Sequence, residues 1–167
     1  MIDPANTLYV VIQVAVAIAG FAGIVSAVQV ERMRVLLTLR LFNLLSCSFA
    51  AMFISGFALV LMHAEVEPDS IWRVTSVLIV MVSVTGAVLS LRHVSAVRAK
   101  VPDFGGILTG AVINVSMLIN LGLLIWNAVV WAAFWPVLIG VFWPFGLACY
   151  SFTHLLFEGL QHDATTP

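Results

Sequence analysis

Charge is what this chain lacks most. Only 9% of its 167 residues are Asp, Glu, Lys or Arg, while 62% are hydrophobic and the mean hydropathy is +1.13. A water-soluble domain is roughly 25% charged and about 45–50% apolar, so these few charges cannot cover a water-facing surface. A soluble enzyme, a disordered segment and a collagen-like chain are thereby excluded. Seven basic residues against eight acidic ones leave a net charge of -1, so there is no basic field for nucleic acid.

Cysteine is equally scarce. Cys47 and Cys149 each lie inside an apolar run, where a thiol serves as a small hydrophobe, so neither a disulfide framework nor a redox pair is expected. No GxxxxGK[ST] phosphate loop, HExxH zinc helix or GxSxG nucleophile elbow occurs. No lysine falls within an apolar run, which excludes a retinal Schiff base. His93 and His154 are the pair a haem would have to bridge, and no haem motif surrounds either. The sequence therefore assigns no catalytic residue, cofactor or metal.

What the chain has instead is long apolar runs. A helix crossing a hydrocarbon core of about 30 Å needs roughly 20 apolar residues. Runs at Leu8–Val28, Leu36–Met62 and Ile71–Leu91 each meet that length, and no charged residue occurs from Gly106 to Phe157. The last stretch is too long for one crossing and must turn back. Trp126, Trp131, Phe134 and Trp135 form an aromatic cluster that marks a membrane interface around Trp131–Pro136. Pro136 then suits the first turn of a further helix, where its missing N–H costs nothing.

The expected fold is an all-α integral membrane protein, a bundle of five transmembrane helices forming one domain over residues 1–167. The spans are placed near 6–29, 35–62, 70–97, 105–130 and 136–158. Four spans plus a kinked or re-entrant fifth is the alternative. Met1-Ile2-Asp3-Pro4 carries no basic stretch, so the first run reads as a retained span rather than a signal peptide. Asp3-Pro4 and Pro68-Asp69-Ser70 are helix starts, with a side-chain acceptor and a preset φ. Pro144, inside the fifth span, leaves the Gly140 carbonyl without its helical partner and should kink the helix.

Orientation follows from Lys and Arg. Arg32, Arg34 and Arg40 flank the first connection, and Arg92, Arg98 and Lys100 the third, leaving only Arg73 near the second. The positive-inside rule puts the first and third connections in the cytoplasm, the N-terminus outside and the C-terminus cytoplasmic. A multi-pass protein of the plasma membrane, in a bacterium the inner membrane, is the expected location.

Three polar groupings are candidates for function. At about 100° per residue, Thr109, Ser116, Asn120 and Asn127 share one face of the fourth span. Such a line either borders a water-filled path or hydrogen-bonds to a neighbouring helix, because amides facing lipid are costly. Arg40, Asn43, His154 and Glu158 would meet at the inner end of the bundle as a gate, a proton-linked site or an anchor. His63, Glu65, Glu67 and Asp69 alternate along the acidic outer loop, a mouth that would concentrate cations without matching a metal motif.

Stripes of small residues complete the picture. Ser76, Ser83 and Ser90 with Gly86 mark the third span, and Ala15, Ala19, Ala22 and Ser26, with Gly23 and Ala27, mark the first. They read as packing faces that let backbones approach, with self-association as a consequence. Two functions follow as expectations: a homo-oligomeric ion channel or pore-type transporter whose path the fourth span lines, or a non-catalytic accessory or scaffold subunit of a larger membrane complex.

Overall fold

The computed structural model describes residues 3–29, 35–98 and 107–163. The order is α1 (Pro4–Gln29), α2 (Val35–His63), α3 (Pro68–Arg98), α4 (Ile107–Trp126), a π-helical turn (Asn127–Trp131) and α5 (Phe134–Asp163). No strand occurs among the described residues. Four helical segments among them are long and apolar enough to cross a membrane: Pro4–Ile24, Leu41–His63, Pro68–Leu89 and Val112–Trp131. A shorter apolar stretch, Phe134–Leu147, opens α5.

Local chemistry sets the helix ends. Asp3 caps α1: its Oδ1 accepts the Ala5 N–H at 3.0 Å, and its carbonyl accepts the Thr7 hydroxyl at 2.9 Å. Pro4 follows at a position where its ring is already preorganised. At the end of α2 the His63 ring donates from Nδ1 to the Leu59 carbonyl at 2.8 Å, and Glu65 enters the left-handed region with φ 55°. Pro68 then opens α3, with the Ile71 N–H on the Glu67 carbonyl.

The chain divides into two compact units, Met1–His63 with Val141–Pro167, and Ala64–Gly140. In the first, α1 packs on α2. On α2 the buried Leu41, Leu44, Ser48, Ala51, Ser55 and Ala58 alternate steps of three and four, with Ile54 and Leu59 buried beside them, and α1 answers with Leu8, Val11, Ala15 and Ala22. This is the spacing of a helix–helix seam. Ala22, Leu41 and Leu44 form a core joined by Ile18, Leu45 and Cys47.

Size is inverted relative to a soluble core. Alanine and serine face inward on α2, while Phe42, Phe49 and Phe53 face outward, Phe53 with 69% of its surface exposed. Small inward residues let backbones approach and collect dispersion contacts, the driving force available where the solvent is itself apolar. Of the expected small stripes, Ala15 and Ala22 are buried, but a Cβ added at Gly23 or Gly86 would meet nothing within 4 Å.

In the second unit α3, α4 and the π turn pack together, and Phe134–Gly140 of α5 completes it. Gly140 leaves little room there. A Cβ would sit 2.9 Å from Leu124 Cδ2 and 3.3 Å from Ile79 Cδ1. Trp72 of α3 stacks obliquely on Phe134 with centroids 5.0 Å apart, and Val137 is fully buried. α5 remains helical through Pro144.

Candidate functional site

The best-defined polar arrangement lies where α4 gives way to α5. The chain reverses over Ala132 and Ala133, and Ala132 adopts φ 51°, ψ 42°, a left-handed conformation that usually falls to glycine. Its N–H reaches back to the Asn127 carbonyl at 2.9 Å, five residues earlier, which makes the last turn π rather than α.

Asn127 holds this reversal together. Its side chain is completely buried. Oδ1 accepts the Ala133 N–H at 2.9 Å while Nδ2 donates to the Ala133 carbonyl at 3.0 Å, so one amide pairs with both polar groups of the residue before α5. Nδ2 also donates to Ser76 Oγ of α3 at 2.9 Å. Both amide hydrogens are thereby used inside the protein.

With the Ala132 and Ala133 N–H groups taken up at residue 127, the Ala128 and Val129 carbonyls have lost their helical donors. Arg73 of α3 replaces them, donating from Nη1 to each at 2.8 Å. A hydrogen bond from a charged donor contributes about 1.5–3 kcal/mol. Around this corner Trp126 meets Trp131 edge to face at 6.4 Å, and Trp131 meets Trp135 at 5.2 Å, all three half open to the surroundings.

The fourth-span line is thus resolved residue by residue. Asn127 is fully committed, Ser116 donates to the Ile113 carbonyl of its own helix at 2.9 Å, and the Thr109 side chain lies outside the described ones. Asn120 is 4% exposed, and its Oδ1 has no hydrogen-bond partner. Counting seven residues back from Asn127 on α4 and seven forward from Ser76 on α3 puts position 120 opposite position 83. Thr75 Oγ1 on α3 is likewise buried without a partner.

The other two groupings are brought together less. Of the inner cluster, Asn43 is half-buried and accepts the Cys47 thiol at 3.9 Å, while the side chains of Arg40, His154 and Glu158 lie outside the described ones. His63, Glu65, Glu67 and Asp69 are all exposed, and His63 is turned onto its own helix. Among the described residues no three His, Cys, Asp or Glu side chains converge as metal ligands would.

From the sequence alone Arg73 is only an orientation marker and Ser76 only a small packing residue. The signal for both is position, since they lie five and eight residues after the Pro68 start, at the end of α3 that must meet the end of α4. Comparison of the chain with known protein families, curated proteins and solved structures returned no match.

Proposed function

We propose that this chain is a five-span plasma-membrane protein, N-terminus outside and C-terminus cytoplasmic, that acts without catalysis as a packing subunit of a larger membrane assembly. The observation that carries the reading is the burial of Asn120 and Asn127. A residue lining a path between identical subunits must lie on the outside of each subunit, and these two are 4% and 0% exposed within one chain. The Asn127 amide serves helix packing through Ser76 of α3. The outward Phe42, Phe49 and Phe53 offer lipid or a partner helix a mainly apolar face, interrupted by the exposed Ser46.

The fifth span rests on α5, whose 30 residues at about 1.5 Å each exceed the hydrocarbon thickness. Orientation rests on six of the seven basic residues flanking the first and third connections.

A homo-oligomeric channel is the second reading, favoured by the unpartnered Oδ1 of Asn120, an acceptor that water or a cation could use. Purification in mild detergent with determination of copy number, followed by bilayer recording, separates the two. Stoichiometric co-purification with larger membrane proteins and no conductance supports the subunit. A closed ring whose conductance changes on Asn120→Ala overturns it.

A further inference from the structure

We propose that Arg73 binds the phosphate of a phospholipid headgroup. Arg73 is half-buried, and both Nη1 hydrogens are taken by the Ala128 and Val129 carbonyls. Nε and Nη2 have no partner among the described residues, nor does Arg73 form an ion pair there, although Asp69 stands one turn earlier on α3. The pair Nε–H and Nη2–H is the side edge of the guanidinium, which matches two oxygens of one phosphate in a bidentate fork. Because the opposite nitrogen is pinned to the backbone, that edge is oriented before any ligand arrives.

Depth selects the source of the phosphate. Tryptophan rings settle at the headgroup level of a bilayer, and Arg73 grips the backbone between Trp126 and Trp131, two rungs of the exposed indole ladder. The guanidinium therefore lies at the level of the lipid phosphates. Glu65, Glu67 and Asp69 are exposed nearby in sequence and repel an anion arriving from solution. A lipid phosphate is already held in the plane at high density, and a cation partly removed from water gains from a fixed counter-charge.

The test uses the full chain in a phosphate-free maltoside detergent, titrated with phosphatidylglycerol or with diacylglycerol bearing the same chains. Binding is read from tryptophan emission and the thermal unfolding midpoint. Phosphatidylglycerol should act saturably and diacylglycerol should not. Arg73→Lys keeps the charge but loses the fork and should weaken binding roughly tenfold. Asp69→Asn, nearly isosteric and at an exposed position, should tighten it. Equal effects of diacylglycerol, an equal effect of inorganic phosphate at the same concentration, or affinity unmoved by Asp69→Asn and Arg73→Lys would each overturn the assignment.

Discussion

Removing the Asn127 side chain should weaken the protein far more than removing its partner on α3. In Asn127→Ala the N–H and carbonyl of half-buried Ala133 both lose their partner. Each orphaned buried group costs about 1–3 kcal/mol, and the lost contact to Ser76 adds about 0.6 kcal/mol, the typical figure for such bonds in membranes. Alanine returns up to about 0.7 kcal/mol in helix propensity. The net expectation is a loss of roughly 2–6 kcal/mol, toward the lower end because Ala133 is only half-buried.

Ser76→Ala is different, because Nδ2 keeps its bond to the Ala133 carbonyl. It should cost no more than about 1 kcal/mol. The measurement is reversible unfolding in mixed micelles, followed by helical circular dichroism as denaturing detergent is added. If the two variants destabilise equally, or Asn127→Ala lies within about 1 kcal/mol of the parent, the corner does not depend on the amide pair.

Gly140→Ala should destabilise by up to about 2 kcal/mol, because overpacking on Leu124 of about 1–3 kcal/mol is offset by about 1 kcal/mol of helix propensity. Gly122→Ala, where a Cβ meets nothing within 4 Å, should be neutral or gain up to about 1 kcal/mol, and the same titration compares them. Asn120→Leu removes an acceptor that has no partner, so stability should hold or rise and bilayer conductance should stay absent; a loss above about 2 kcal/mol would show that the oxygen is bonded. A reporter at the C-terminus, active only in the cytoplasm, should be active, and one at the N-terminus inactive; the same activity at both ends would refute the five-span topology.

The sequence announces the helical class because apolar runs of membrane length leave no alternative, and Asp3-Pro4 and Pro68 show where α1 and α3 start. It hides the corner for physical reasons. Seven-residue spacing assumes a uniform α-helix, and the helix changes to π at Asn127, the last residue of the polar line. The left-handed residue is Ala132 instead of a glycine, so no local composition betrays it. Its conformation is held by Asn127 and by Arg73, whose partners lie 55 and 56 residues away along the chain. Seam and surface on α2 were equally unreadable by hydropathy, since Ala51 and Phe53 are both apolar and only their packing distinguishes them.

The corner also has a bearing on biogenesis. The hairpin of α4 and α5 cannot finish its own turn, because Arg73 and Ser76 come from the preceding helix. Inserted alone by the translocon, that hairpin would bring two bare carbonyls and an asparagine to the edge of the lipid. Its integration should therefore wait on α3, which the ribosome releases first, and fragments starting after residue 98 should be selected for degradation instead of accumulating in the bilayer.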